Sequence, residues 1–269
     1  MTASEQWHLS PEAARLYERH VATFILGPWV PRLVDAGGVK PGHHVLDVAC
    51  GTGIVARAAR ERAGRAGRVA GIDLNPGMIA VAQSLPQAPG MIDWQVRSAL
   101  DLGFEDGLFD VVLCQQGLQF FSDKPRALRE MHRVLRSHGR LALSVWNSAG
   151  LYNSAVAEAL GEALGREIAD QFIASRRVPS RCELNSLAQA AGFSDVEVSI
   201  ARISIHLPHP EQFCLDHLRA TPVASGISAA SADVRAGLGA MVRERLREFA
   251  DGDGVTYPEE THVLTARAT

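Results

Sequence analysis

Residues Val45–Arg60 read VLDVACGTGIVARAAR: a short apolar run, a glycine turn and the start of a helix. The turn Gly51-Thr52-Gly53, with Ala56 following, satisfies the Gly-x-Gly-x-x-Gly/Ala fingerprint that joins a buried strand to a helix. Glycines there let a ligand approach the backbone at a helix N-terminus. This unit commits the chain to a fold in which a strand end faces a cleft.

The same alternation continues. Val45–Cys50, Arg68–Asp73, Trp94–Arg97, Phe109–Cys114 and the run GRLALSVW ending at Trp146 read as strands. Ile54–Ala63, Pro76–Ser84 (capped by Asn75) and the amphipathic Pro125–Leu135 read as helices between them. Strands alternating with helices imply crossovers and a mostly parallel sheet. Upstream, Ser10-Pro11-Glu12 is a helix start, with Ser10 as cap and proline at the first helical position; that helix carries Ala14, Leu16, Tyr17 and Val21. The apolar stretch after it is broken by Pro28 and Pro31.

Beyond Trp146 the pattern loosens. Ser154–Phe172 reads as one helix despite Gly161 and Gly165, Glu183–Ala191 as a helix ended by Gly192, and Val196–Leu207 as a strand. Pro210–Phe249 is helical and weakly apolar, and VTYPEETHVLTARA is a last strand. The chain therefore divides into an N-terminal helical lid segment (1–40), a core (41–207), a helical insertion serving as substrate lid (208–254) and the last strand of the core (255–269). Trp29, Phe172, Phe213, Leu215, Leu218 and Val223 are the apolar residues expected to face an acceptor.

Composition excludes several classes. Of 269 residues 46% are apolar, enough for a core, and 21% are charged. The net charge of −3 offers no global attraction to nucleic acid or an anionic membrane. Arg57, Arg60, Arg62, Arg65 and Arg68 have no aromatic residues between them and read as a solvated helix face. Cys50, Cys114, Cys182 and Cys214 form no Cys-x-x-Cys, so neither a disulfide framework nor a zinc knuckle follows. His206, His209, Cys214 and His217 fit no metal-ligand spacing, and no metal is expected. The N-terminus has no signal-peptide pattern. No apolar run approaches the ~20 residues of a membrane span. The expectation is a cytoplasmic protein, monomeric or homodimeric, with a small-molecule partner.

The ligand follows from two carboxylates. Asp47 sits in the strand before the glycine turn, where a pyrophosphate would be repelled by about 4 kcal/mol at ~4 Å and an effective dielectric near 20. A carboxylate there suits a cationic group such as an ammonium or sulfonium. Asp73 ends the next strand, where an acidic residue accepts from both hydroxyls of a ribose. A nucleoside joined to a cationic amino-acid tail is S-adenosylmethionine.

At this point the chain resembles the class I S-adenosylmethionine-dependent methyltransferases of the ubiquinone/menaquinone-biosynthesis type. VLDVACGTG is similar to that family's first motif and GIDLNPGMI to its second; the block from FDVVLCQQG to LALSVW resembles its fourth-to-fifth-strand region. The resemblance is strong over Pro41–Trp146. It implies a Rossmann-like, doubly wound, seven-stranded, mostly parallel sheet with an antiparallel last strand, plus a helical lid. It implies cofactor contacts at Asp47, Ala49, Gly51, Gly53 and Asp73, with Leu74 and Met78 against adenine. Ser98, Ala99 and Leu100 would lie beside the adenine, and Tyr17 and Gln115 would complete the set. Arg97-Ser98-Ala99 departs from the family's Gly-Asp-Ala, which leaves Ser98 as an uncharged acceptor. Ser137-His138-Gly139 replaces its Pro-Gly-Gly, which we read as structural.

The reaction expected is methyl transfer to a small, largely apolar acceptor. CQQGL after the fourth strand lacks the Asn/Asp-Pro-Pro-aromatic turn of amine-methylating DNA enzymes. The Pro-Cys nucleophile of cytosine methylation and the paired glutamates of arginine methylation are also absent from the sequence. Two alternatives stay open at this level: an NAD-dependent oxidoreductase, and a protein that binds S-adenosylmethionine for a non-methylating reaction such as a cyclisation. No catalytic residue is assigned; His20 and His217 are the histidines placed to act as a base.

Overall fold

The structure, a computed structural model, describes residues 10–86, 90–176 and 178–269, with residue 175 described by its backbone alone. The first nine residues of the expected lid segment lie outside the described residues.

The chain opens with α1 (Pro11–Leu16), whose Ser10 side chain accepts from the Ala13 N–H. A π-helical segment, Tyr17–Leu26, and a single 3-10 turn at Gly27–Trp29 lead into α2 (Val30–Gly37). Then β1 (His44–Val48), α3 (Ile54–Ala63), β2 (Arg68–Asp73), α4 (Pro76–Ser84) and β3 (Ile92–Val96) follow. Next come β4 (Phe109–Gln115), α5 (Lys124–Val134) and β5 (Leu135–Trp146). The second half holds α6 (Leu151–Leu164), α7 (Arg166–Ile173), α8 (Arg181–Ala190) and β6 (Phe193–Pro208). It ends with α9 (Pro210–Arg219), α10 (Ala224–Ala229), α11 (Ala232–Arg245), β7 (Ala250–Asp251) and β8 (Gly254–Ala268).

The sheet order is β3-β2-β1-β4-β5-β8-β6, with the two-residue β7 paired to β8. β1 to β5 pair in parallel, and β8 runs antiparallel between β5 and β6. This is the doubly wound, Rossmann-like sheet with its single reversed last strand. One face is sealed by Leu128, Met131 and Leu184 from α5 and α8 on Leu46, Val112 and Leu143. The other is sealed by Leu33, Val34 and Val55 from α2 and α3 on Val45, Val111 and Leu113. Both faces are covered, which is why the central strands are apolar without alternation.

β6 and β8 pair along their whole length, from Phe193 opposite Ala268 to Pro208 opposite Gly254, whereas β5 pairs β8 only from Arg140–Arg267 to Trp146–Thr261. The overhang of this ribbon beyond β5 carries Ile205, Leu207, Val255 and Tyr257. These form a separate apolar cluster with Phe213 and Leu218 of α9, Val242 of α11, and Tyr152 and Val156 of α6. Val21, Ile25 and Trp29 from the N-terminal segment join the same cluster.

Three expectations change. The helix read through Ser154–Phe172 breaks at Gly165 (φ +98°), whereas Gly161 stays helical. The fifth strand starts at Leu135, and Ser137-His138-Gly139 is an irregularity within it, with His138 at φ +64°. The arginine-rich face is not wholly solvated. Arg60 is buried and donates to the Gly67 carbonyl at 3.1 Å, and Arg57 donates to Thr52 O and reaches Glu18 at 3.3 Å. No described helix is long and apolar enough to cross a membrane.

Candidate functional site

β1 and β4 are sheet neighbours although β2 and β3 lie between them in the chain. The connections after them leave to opposite sides, and a crevice opens beyond their C-terminal ends. A cavity of about 300 Å³ fills it, a size suited to a small organic ligand. Ala49 and Gln116, just past β1 and at the end of β4, hold left-handed backbones at φ +57° and +54°. Such non-glycine conformations cost on the order of 1–3 kcal/mol each and collect at functional sites. Gly117 lets the two loops meet: a Cβ there would stand 2.8 Å from both Ala49 Cβ and Cys114 Sγ.

At one end of the cavity lie Tyr17, Ala49, Gly51, Asp73 and Leu74. Met78, Ser98, Ala99, Leu100 and Gln115 line it as well. Asp73 Oδ2 accepts from the Gly51 N–H at 2.8 Å and Oδ1 from the Asn75 N–H at 2.9 Å. Burial raises its carboxyl above the usual carboxylate range, and the two N–H donors oppose that rise. Each oxygen keeps a further lone pair. Leu74 is 45% exposed and offers apolar surface to the cavity. Ser98 Oγ accepts from the Leu100 N–H at 3.1 Å, which fixes the turn carrying Ala99 and Leu100. The Tyr17 ring lies over the glycine turn, 3.6 Å from where a Gly51 Cβ would be. Burial, then the Asp73 charge, raises its phenol. Gln115 Nε2 donates to the Leu26 carbonyl at 2.8 Å, and its Oε1 is buried without a partner, open to a cationic donor.

Two expected residues are placed elsewhere. Asp47 is 1% exposed and borders a separate void of about 20 Å³ behind the turn. Its Oδ2 accepts from the Ala56 N–H at 2.9 Å, capping α3 from the strand, while Oδ1 is buried with no partner. Burial pushes this carboxyl up to about 8, against the pull of the Ala56 N–H and with the help of Asp73. Gly53 borders neither void. Its φ of +86° and the Trp94 ring, 2.2 Å from where its Cβ would be, are what require glycine. Gly71 meets the same ring at 2.4 Å.

The other end of the cavity is largely aromatic and apolar: Val21, Ile25, Phe120, Phe121, Trp146 and Phe172. Of the six apolar residues expected to face an acceptor, Phe172 lines it. Trp29, Phe213, Leu218 and Val223 are instead buried in the second cluster, with Leu215 packed against it, because the ribbon overhang needs a cover. Three polar residues reach this end from separate elements: Asn153, Arg176 and His217. Asn153 and Arg176 carry no motif and come from loosely patterned sequence, so spacing could not single them out; the unusual Arg-Arg before Val178-Pro179 was the one local signal. The Arg176 guanidinium lies over the Trp146 ring at 3.8 Å, and burial lowers it to about 10, still cationic at neutral pH. His217 Nδ1 is 3.0 Å from the Tyr152 hydroxyl, and the rings stack at 5.5 Å. Burial, then Arg176 and His20, lowers its imidazole to about 3, so it is neutral and a weak base. His20 is outside the cavity lining, 3.8 Å from Asp216. His206 and His209 are exposed and face Asp251 and Asp253. The described residues contain no cluster able to hold a metal ion.

With this geometry in hand, likeness to known proteins is informative. A family model described as a methyltransferase domain matches residues 46–143. The chain is 34% identical over 118 residues to a 2-phytyl-1,4-naphtoquinone methyltransferase of Nostoc sp., over 43% of this chain and 52% of that protein, about half its length. It is 35% identical over 179 residues to a demethylmenaquinone methyltransferase of Thermus thermophilus, over 62% of this chain and 81% of that protein. Among solved structures, a Haemonchus contortus phosphoethanolamine N-methyltransferase 2 in complex with S-adenosyl-L-methionine superposes with a TM-score of 0.55 at 19% identity, over 89% of this chain and 52% of that one. The last is a likeness of fold.

Proposed function

Since this chain belongs to the class I S-adenosylmethionine-dependent methyltransferases of the ubiquinone/menaquinone-biosynthesis type, we propose that it methylates a ring carbon of a flat, quinol-type acceptor. The observation that carries this reading is one continuous cavity with a nucleoside-type end, at Gly51, Asp73 and Leu74, and an aromatic end, at Phe120, Trp146 and Phe172. The relatives named above, a 2-phytyl-1,4-naphtoquinone methyltransferase and a demethylmenaquinone methyltransferase, support the acceptor class.

The residues fit the cofactor. Asp73 has lone pairs free for two ribose hydroxyls, and the exposed Leu74, with the largely buried Met78 beside it, offers apolar surface to an adenine. Ser98, Ala99 and Leu100 hold the adenine edge, while Ala49, Gly51, Gln115 and Tyr17 hold the amino-acid tail. Asp47 acts from behind the turn: it caps α3 through the Ala56 N–H and holds the glycine turn in place. When bound, S-adenosylmethionine supplies an electrophilic methyl group on a sulfonium. The chain's own work is alignment. Phe120, Trp146 and Phe172 keep the acceptor ring flat and dry, and the N-terminal segment with the α9–α11 insertion closes the acceptor end. In such a transfer the ring carbon would take the methyl with the C–S bonding pair left on sulfur, and the ring C–H proton would be lost to water once the acceptor end reopens. His217, neutral and weakly basic, holds the acceptor rather than taking this proton.

The test is incubation with labelled S-adenosylmethionine and a series of benzoquinols and naphthoquinols. Release of S-adenosylhomocysteine with a C-methylated product is expected. Cofactor binding with no release across the series would refute quinol methylation, and a rearranged, unmethylated product would favour the cyclisation reading.

A further inference from the structure

We infer that Arg176 and Asn153 form an anion seat at the acceptor end of the cavity, and that the acceptor is held there through an acidic hydroxyl bound as its phenolate. This deepens the methyl-transfer reading and rests on it.

Arg176 is the main observation. It lines the cavity, its flat face is covered by Trp146 at 3.8 Å, and its Nη1 is buried with no hydrogen-bond partner. Arg176 is half-buried, but a buried guanidinium N–H without an acceptor is costly, and that cost is removed when an anion arrives. Asn153 repeats the pattern from α6: 4% exposed, lining the same cavity, with Nδ2 buried and unpartnered. Two donors from different elements, neither matched within the described residues, point to one missing acceptor oxygen.

The surroundings decide its character. The charged and titratable groups acting on Arg176 are Glu259 and Tyr257 of β8, Tyr152 of α6 and His217 of α9. The two tyrosines and the histidine are neutral near pH 7, because burial raises the phenols and lowers the imidazole. Glu259 is the remaining charge. Burial raises its carboxyl and the Arg176 charge opposes that rise, so the two charges favour each other, but no described ion pair joins them and Arg176 Nη1 keeps an open hydrogen-bonding position. His217 lines the same end of the cavity, its Nδ1 held 3.0 Å from the Tyr152 hydroxyl. Val21, Ile25, Phe120 and Phe172 supply apolar wall, beside the polar Gln116, Gln119, Ser122 and Thr221. A hydrated carboxylate on a flexible chain gains little from such walls. A phenolate gains twice: its ring packs on them, and its oxygen meets the guanidinium in a charge-assisted hydrogen bond. Binding moves the hydroxyl proton to solvent and leaves the electron pair on the oxygen, conjugated with the ring carbons that accept the methyl.

Three probes that share one ring test this with the protein saturated in S-adenosylhomocysteine: 4-nitrophenol, 4-nitroanisole and 4-nitrobenzoate. Calorimetry should give about tenfold or tighter binding of 4-nitrophenol than of its neutral methyl ether, from one added charged hydrogen bond. The bound 4-nitrophenol should show the phenolate absorption band at a pH where the free probe is protonated. Arg176→Met should abolish the preference and the band while leaving S-adenosylhomocysteine and 4-nitroanisole affinities within about twofold. Arg176→Lys, which keeps the charge, should recover part of both. Asn153→Leu should weaken the preference, and it carries the test if Arg176→Met does not fold. Equal affinity of the wild type for 4-nitrophenol and 4-nitroanisole, or an undiminished preference in Arg176→Met, would overturn the anion seat. Tighter binding of 4-nitrobenzoate than of 4-nitrophenol would overturn the phenolate. Failure of the methyl-transfer reading is separate: it appears as no S-adenosylhomocysteine binding by the wild type.

Discussion

The Gly51 N–H donates to Asp73 Oδ2 at 2.8 Å, so the glycine turn after β1 and the carboxylate that ends β2 are one structure. Asp73 shapes the turn and also faces the cavity. Replacing it by alanine should lower S-adenosylmethionine affinity about tenfold or more, since charged hydrogen bonds contribute about 1.5–3 kcal/mol. It should also reduce folding stability by about 1–3 kcal/mol, by leaving the Gly51 and Asn75 N–H groups unpaired. Asp73→Asn keeps one acceptor oxygen for the turn, so it should lose ligand affinity with a smaller loss of stability. Isothermal calorimetry showing unchanged affinity in both variants would remove Asp73 from the ribose.

The buried Asp47 and His217 give stability a defined pH dependence. The folded Asp47 carboxyl lies near 8 rather than 3.8, so the folded state binds more protons than the unfolded state between these values and stability falls as pH rises. His217 lies near 3 rather than 6.5, so the unfolded state binds more protons there and stability rises with pH. The two slopes oppose each other below 6.5. Above it the Asp47 slope remains, about 1.4 kcal/mol per pH unit for one proton. Urea unfolding of the ligand-free protein should therefore have a lower midpoint at about pH 8 than at about 6.5, and Asp47→Asn should flatten the difference. A wild-type midpoint that rises across this window contradicts the assignment.

Much of the fold was legible before the structure. Ile54–Ala63, Arg68–Asp73 and Pro76–Ser84 have the same bounds in sequence and structure, because a left-handed glycine, a terminal aspartate and an Asn-Pro cap mark their ends chemically. Gly165 was not separable from Gly161: both are glycines in one helical pattern, and the tertiary path decides that one takes φ +98°. At the site, Asp73, Leu74 and Gly51 were readable because a strand end and a turn place them locally. Arg176, Asn153 and His217 meet only because α6, α9 and the segment after α7 converge on the ribbon overhang, and no periodicity records that. Trp29 and Phe213 were read as facing an acceptor because apolarity alone does not distinguish a cavity wall from the core beside it.

Trp94 fills the space a side chain at residue 53 would need, its ring 2.2 Å from the Gly53 Cβ position. Gly53→Ala should destabilise the protein through two separable costs, this clash and the left-handed backbone at φ +86°. Trp94→Leu should relieve the clash alone, so a double-mutant cycle should show a favourable coupling of about 1 kcal/mol or more, with the remaining penalty assigned to the backbone. Zero coupling by denaturant unfolding would mean that the helix start shifts and Trp94 does not restrict residue 53.

The parts that enclose the cavity differ in how firmly they are held. α9 and α11 place Phe213, Leu218 and Val242, at 3%, 0% and 0% exposure, in the cluster on the ribbon overhang. Most of the inserted segment is therefore anchored by its own core, although it lies outside the alternating sheet and helices. α10 buries Ile227 as its core residue, and α1 buries Ala14, which rests on Met78 and Val81 beside the cavity wall that Met78 lines. Few buried apolar contacts mean low local stability and easy opening. In the free protein, backbone amides of Pro11–Leu16 and Ala224–Ala229 should exchange with deuterium quickly, while those of Phe213–Leu218 and Phe109–Gln115 are protected. Cofactor bound beneath Tyr17 should slow exchange in Pro11–Leu16, because that segment runs directly into the ring covering Gly51. An acceptor should add protection at Ala224–Ala229, whose preceding residues Thr221 and Pro222 line the cavity. The division into a fixed α9–α11 frame with two opening edges requires this order. Exchange in Pro11–Leu16 as slow as in β4 without ligand would make the N-terminal segment a fixed wall, and the acceptor would then have to enter past α10 alone.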